Sequence, residues 1–354
     1  MSSKESPKYD RKNMLFRQLG PSGLRVSLLS LGGWLTLGGS VSYDLTQEII
    51  SAAYKAGINT FDTAEVYSNG ESERAMGKAI ANLNLERSSL VLITKIYFGC
   101  GGTDPNATGL SRKHVIEAAD QSLKRAGVGY WDVILAHQPD PNVPMEEVVR
   151  AFNRLIESDR CYYWGTSSWS AEAISEATQI ANRLNLIPPI ADQPQYSMLH
   201  RTTLESGLLS VFEKFNYGTT IWSPLNFGIL TGKYNEGVPE GSRFDTNKNF
   251  FGSKAEWLTS AEGKETIGKV RALTKVAEEK LKCKMATLAI AWTLLNPHLS
   301  TCILGASSIA QLEENLKALE VLPKLQEDPK LVQEIEEILK NKPEGWNKGR
   351  PINP

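Results

Sequence analysis

The chain has little of what marks several protein classes. Its 354 residues include four cysteines, Cys100, Cys161, Cys283 and Cys302, with no C-x-x-C pair and no histidine at zinc-finger spacing. Neither a disulfide framework nor a metal site is expected. No apolar run approaches the roughly 20 residues of a bilayer-spanning helix. Lys plus Arg number 39 against 40 Asp plus Glu, a formal net charge of −1. That balance gives no footprint for nucleic acid and no polybasic membrane patch. A G-x-G-x-x-G fingerprint is missing, since "GCGG" at 99–102 lacks the right continuation, which argues against a Rossmann dinucleotide site. The opening "MSSKESPKYDRKN" is polar and lacks the apolar segment of a signal peptide, so it reads as a flexible tail. A reduced, cytoplasmic, metal-free globular protein is the expectation.

What is present is an alternation. Short apolar, β-rich runs occur at 26–32, 58–62, 90–95, 132–137, 161–167, 190–195, 219–224 and 301–307. They lack strict polar alternation, as strands buried on both faces of a parallel sheet do. Helical patterns lie between them, for example at 44–56, 112–126, 145–157, 171–184, 202–215 and 285–295, with Ser111 and Ser170 placed as caps. Eight strands alternating with helices predict an α/β (β/α)8 TIM barrel; a doubly wound open sheet is the alternative. Before the first barrel strand, "MLFRQLGPSGLRVSLL" predicts a β-hairpin around Pro21-Ser22-Gly23, placed to close the bottom of the barrel. The stretch 225–262, rich in Gly, Asn, Lys and aromatics, reads as a long loop after strand seven; loops of that length are usually lids or binding loops. One domain is expected over 14–340, with tails at 1–13 and 341–354.

In such a barrel the active site lies at the C-terminal ends of the strands. Those positions hold Gly33-Trp34, Asp62, Lys95, His137, Ser167-Ser168, Gln193, Ser223 and Gly305-Ala306-Ser307, nearly all polar or small although the strands are apolar. Asp62, Lys95 and His137 close three neighbouring strands, and Tyr67 follows Asp62 in a short loop. A phenol is a weak acid at neutral pH. A lysine ammonium beside it is expected to lower its pKa, and a carboxylate behind the lysine keeps that charge in place. Tyr67 can then give a proton to an oxygen gaining negative charge, with a His137 N–H oriented on the same oxygen. This set suits carbonyl reduction, in which the hydride has to come from a cofactor. In "GASSIAQLEEN" after strand eight, Ser308 and Gln311 form a capping-box pattern and Gly305 lets backbone approach a ligand. Lys233 and Arg243 lie in the loop after strand seven, where a guanidinium can pair with a 2′-phosphate and favours NADP over NAD. Trp222 is placed to stack on a nicotinamide ring. Trp34, Tyr67, Tyr97, Phe98, His137, Trp169 and Phe227 are expected around the substrate.

These residues resemble the aldo-keto reductase superfamily. "GINTFDTAEVY" looks like its Asp/Tyr motif, "ITK" like its lysine strand, and "ILGASS" with "QLEEN" like its cofactor-phosphate segment, in order over residues 14 to 323. "RQLGPSGLRVS", "GLSRKHVIE", "PDPNVPMEE", "YWGTSSWS", "LNLIPPIADQPQY" and "WSPLNFGILTGKY" are similar to the voltage-gated potassium channel β-subunit branch. The resemblance implies a (β/α)8 barrel, NADP(H)-dependent reduction of carbonyl substrates, and often a tetramer that docks beneath a membrane channel. It assigns Asp62, Tyr67, Lys95 and His137 to the catalytic tetrad. It puts Gly33, Trp34, Asp62, Ser167, Gln193, Trp222, Ser223, Pro224, Leu225, Lys233, Ser242, Arg243, Gly305, Ser307, Gln311, Glu314 and Asn315 at the dinucleotide. Animal channel subunits carry Asn at the position of His137, whereas most working reductases carry His; those subunits also have Arg at the position of Ser168. A channel accessory subunit that senses NADP(H) is the second reading. A glycosidase using Asp62 and Glu65 is a third, with no use for Tyr67 or Lys95.

Overall fold

Runs such as "VLITKI" and "WDVILA" combine β-branched, aromatic and aliphatic side chains without polar alternation, and each becomes a strand buried along its whole length. The computed structural model describes residues 7–344. Strands β1 (Phe16–Gln18) and β2 (Arg25–Ser27) pair antiparallel. Strands β3 (Leu29–Gly32), β4 (Thr60–Asp62), β5 (Val91–Ile96), β6 (Trp131–Ala136), β7 (Cys161–Thr166), β8 (Ala191–Asp192), β9 (Gly218–Ile221) and β10 (Thr301–Leu304) follow. All eight pair in parallel, and β10 closes on β3 to complete a barrel. Helices between them, such as Arg112–Ala126, Met145–Glu157 and Ala171–Arg183, form the α layer of a (β/α)8 fold. The expected caps are made: Ser111 accepts from His114 N at 3.2 Å and Ser170 from Ala173 N at 3.2 Å.

The chain forms two compact units. The first runs to Gln195 and includes Gly207–Trp222 and Pro297–Glu313, so it holds the hairpin and every barrel strand. The second comprises Tyr196–Ser206, Ser223–Asn296 and the chain from Glu314 on. In the first, hairpin residues Leu19 and Val26 are buried with Val91, Ile93, Val133, Leu135, Ile190 and Ala191. Val91 and Ala191 open β5 and β8, and Ile190 immediately precedes β8, so the hairpin closes the N-terminal end of the barrel. Gly20, at φ +59, brings its backbone against Ile190 O, where a Cβ would sit 2.1 Å away.

Three expectations change in detail. The run 26–32 is not one strand: it divides at Leu28 into the hairpin arm β2 and the barrel strand β3. The run 190–195 gives only the two residues of β8, because Pro188, Pro189 and Pro194 supply no N–H to a ladder. The expected long loop contains helices Arg243–Thr246 and Lys248–Trp257. Gly, Asn and Lys hide a seven-residue spacing there that buries Phe244, Phe251 and Leu258 together. In the second unit Arg201 pairs with Glu205 and Glu336, and Trp292 stacks on Tyr196.

Tyr9, in the stretch read as a tail, donates to Gly57 O at 2.6 Å and meets the Tyr54 ring at 5.3 Å. Residues 1–6 and 345–354, also read as tail, lie outside the described residues. No helix among the described residues is long and apolar enough to cross a membrane.

Candidate active site

Side chains alternate along a strand, so Val91 and Ile93, both in the hairpin-facing cluster, put Lys95 on the barrel's interior face one layer higher. Register sets Asp62 beside Ile93 and Lys95 beside Leu135. The Lys95 ammonium donates to Asp62 Oδ1 at 2.6 Å, Thr63 O at 2.8 Å and the Tyr67 hydroxyl oxygen at 3.0 Å. Its three donors are thereby used. Gln193 Nε2 donates to Asp62 Oδ2 at 2.9 Å and to Thr220 Oγ1 at 3.1 Å. Both carboxylate oxygens accept, and burial raises the Asp62 pKa against the lowering by Lys95 and Gln193. Because an ammonium only donates, the phenolic hydrogen of Tyr67 is left for another acceptor.

Tyr67 opens a short turn, Tyr67–Gly70, in which Ser68 and Asn69 adopt φ of 51° and 51°. Two consecutive left-handed residues reverse the chain before the helix Glu71–Asn82. The Tyr67 ring lies 4.6 Å from Lys95 Nζ and edge-on to His137 at 5.8 Å. His137 follows β6 and donates its backbone N–H to Ile96 O at 3.0 Å. Its Nδ1 is buried with no hydrogen-bond partner among the described residues.

Burial dominates the electrostatics. It would lower Lys95, but Asp62 and Tyr67 outweigh it and hold the ammonium charged. Burial and then the Lys95 charge push His137 well below its ordinary value, so the imidazole is neutral. Tyr67 corrects an expectation. Lys95 does pull the phenol down, but burial, with Asp62 adding to it, raises the net pKa above 10. The phenol is fully protonated at neutral pH, and the ammonium offsets only part of the cost of its ionised form.

Other predicted residues distribute as follows. In the first unit Ser167 donates to Gln193 O at 2.9 Å, Trp222 N donates to Pro194 O at 3.0 Å, and Gly33 N donates to Asp62 O at 2.8 Å. Gly305 is exposed with open space where a Cβ would stand. Gln311 N donates to Ser308 Oγ at 3.2 Å, while Gln311 Oε1 accepts from Ser307 N at 2.9 Å. The return bond of the capping box therefore falls one residue earlier than the sequence pattern implies. Trp34 is half-buried and Phe98 exposed. Trp169, expected near the substrate, is 2 % exposed, as buried as Gln193 and Asp62.

In the second unit Ser223, at φ 56°, accepts from Phe227 N at 3.0 Å, and Phe227 packs on Phe251. Partial burial and the Arg243 guanidinium lower Lys233. Glu314 accepts from Thr287 at 2.9 Å and Lys317 at 2.9 Å, and Asn315 is buried.

Glu65, read from the sequence only as half of a glycosidase pair, has another task. Its Oε1 accepts from Tyr97 N and Gly99 N, both at 2.8 Å. No spacing signal announces a bond between a carboxylate and backbone groups thirty residues away. Thr63 and Thr220, also unmarked in the sequence, supply the carbonyl to Lys95 and an acceptor to Gln193.

The sequence profile of the aldo/keto reductase family matches residues 28–338. The chain belongs to the aldo/keto reductase family. It is therefore placed among oxidoreductases. It is also 54% identical, over 94% of its length and 95% of the relative's, to a Schizosaccharomyces pombe protein named putative voltage-gated potassium channel subunit beta.

Proposed function

We propose that this oxidoreductase reduces aldehydes or ketones to alcohols with NADP(H), and that Tyr67 gives the proton. The observation that carries the reading is the buried chain Asp62–Lys95–Tyr67 with a neutral His137 beside it. A dinucleotide fits the donor set. Gly305 leaves backbone open to approach, His137 Nδ1 has no hydrogen-bond partner among the described residues, and in the second unit partial burial and then the Arg243 guanidinium lower the Lys233 ammonium. By resemblance Gly33, Trp34, Ser167, Gln193, Trp222, Ser307 and Gln311, and in the second unit Ser223, Lys233, Ser242 and Arg243, hold the cofactor.

When bound, NADPH supplies the hydride. The protein's own part is proton delivery. Tyr67 donates its free hydrogen to the carbonyl oxygen as that oxygen becomes negative. The phenolate left behind faces Lys95, whose charge Asp62 keeps in place. His137, being neutral, presents an N–H to the same oxygen rather than a second positive charge beside Lys95.

Tyr67→Phe tests the reading. It should bind NADPH as the native protein does and lose turnover of an aromatic aldehyde by about 10²–10⁴-fold. A mutant that keeps most of its rate would remove Tyr67 from the mechanism.

The 54% identity to the S. pombe protein favours a second role, as an accessory subunit of a potassium channel in which bound NADP(H) reports redox state. That role carries with it a cytoplasmic location and a homo-tetramer. Tight NADPH binding with no turnover by the native protein, together with co-purification with a channel, would select it.

A further inference from the structure

Glu65 is 2 % exposed and lies between Asp62 and Tyr67 in the chain, yet its carboxylate turns to partners outside the Asp62–Lys95–Tyr67 network. Its Oε1 instead collects Tyr97 N and Gly99 N, both at 2.8 Å, and His114 Nε2 at 3.4 Å. Its backbone is fixed as well: Glu65 N donates to Lys95 O at 3.2 Å, and Cys100 Sγ reaches Glu65 O at 2.8 Å. Between the two clamped amides stands Phe98, 43% exposed, with its ring 5.0 Å from His137 at 80° and 4.9 Å from Tyr97. The segment has no slack on its far side. Gly99, at φ +68, lies so close to Ala107 O that a Cβ would come within 2.1 Å, and Gly109 N donates to Tyr97 O at 2.6 Å.

A ring this exposed has little burial to hold it. Its direction is set by its backbone, and that backbone hangs on a buried carboxylate. Bonds from N–H groups to an ionised acceptor are about twice as strong as neutral ones, and losing the acceptor strands two amide donors.

We propose that Glu65 is a positioning residue that holds Phe98 edge-on to His137 and so sets the selectivity of the site for apolar, aromatic carbonyls. The selectivity half of this rests on the carbonyl-reductase reading above; the positioning half does not. It makes the segment from Asp62 to Tyr67 responsible both for the proton and, through Glu65, for one wall of the mouth.

The positioning half is read on the cofactor-free protein labelled with ¹³C at the histidine Cε1, with the His137 signal assigned by His137→Asn. Phe98→Ala removes the ring above the imidazole and moves that signal. Glu65→Ala should move it in the same direction, Glu65→Gln should fall between Glu65→Ala and the native protein, and Phe98→Ala combined with Glu65→Ala should add nothing to Phe98→Ala. The selectivity half is read in turnover: Glu65→Ala should raise KM for benzaldehyde by about tenfold, and for propanal by less than about twofold, with kcat little changed. A His137 signal that stays at its native position in Glu65→Ala overturns the proposal, as does an equal rise of KM for both aldehydes. Should Glu65→Ala fail to fold, Glu65→Gln is judged alone by the same signal. Native protein that reduces no aldehyde while the His137 signal still follows Glu65 overturns the reductase reading and supports the clamp.

Discussion

Lys95 is the residue whose loss should be felt most. Its side chain is fully buried, and so is nearly all of Asp62, so Lys95→Met leaves a carboxylate in the barrel with one neutral donor. Breaking a buried pair this way costs about 3–5 kcal/mol. The double variant Asp62→Asn/Lys95→Met should regain part of that loss in urea unfolding while remaining inactive. If the single and double variants unfold alike, the pair is not what holds this layer of the barrel.

Asp192 offers a separate test. It accepts from Thr166 at 2.7 Å and Trp169 N at 3.3 Å, while its Oδ2 has no partner among the described residues, and burial raises its pKa to about 7. An unfolded aspartate ionises near 3.9, so between about 4 and 7 the folded state binds the extra proton. Stability from this group is therefore complete below the unfolded value and is lost as pH rises through the folded one. The melting temperature of the native protein should fall relative to that of Asp192→Asn between about pH 4 and 7. Parallel curves across that range would place the Asp192 pKa elsewhere.

At the scale of elements, Gly77 shows how contact reverses a propensity argument. It sits inside the helix Glu71–Asn82, where sequence rules favour Ala over Gly by about 1 kcal/mol. A Cβ at Gly77 would meet Ala126 O at 1.7 Å, at the end of the neighbouring helix Arg112–Ala126. Gly77→Ala must push one helix backbone off another, so a loss of about 1–3 kcal/mol is expected instead. Because that helix leads out of the Tyr67 turn, turnover should fall with it. A thermal melt showing stabilisation would mean the helices separate at no cost.

Legibility of the elements followed the source of their signal. The helices 112–126 and 145–157 were readable to the residue because an amphipathic stripe is local. The division of 26–32 at Leu28 was not, since only pairing with Phe16 on one side and with Cys302 on the other separates hairpin from barrel. The helices within 243–257 were hidden by polar composition, although Phe244 and Phe251 carried the period.

For the whole molecule, the hairpin and the candidate site stand at opposite ends of the barrel strands. Leu19, fully buried with the starts of β5 and β8, can therefore change stability without touching chemistry. Leu19→Ala should cost about 2–5 kcal/mol in urea unfolding and leave KM for an aldehyde as it was. A change in KM with little loss of stability would show that the closed end communicates with the mouth.

By itself the sequence determined the barrel, the strand order and the polar residues that end the strands, because hydrophobic period and segment length are properties of neighbours in the chain. It placed Asp62, Tyr67, Lys95 and His137 at one end of adjacent strands for the same reason. Only the tertiary structure decided the net direction of the Tyr67 pKa, since burial competes with Lys95 and burial is not written in spacing. The same holds for Glu65 and Gln193, whose partners are about thirty or more residues away along the chain and meet them only once the strands have closed into a barrel.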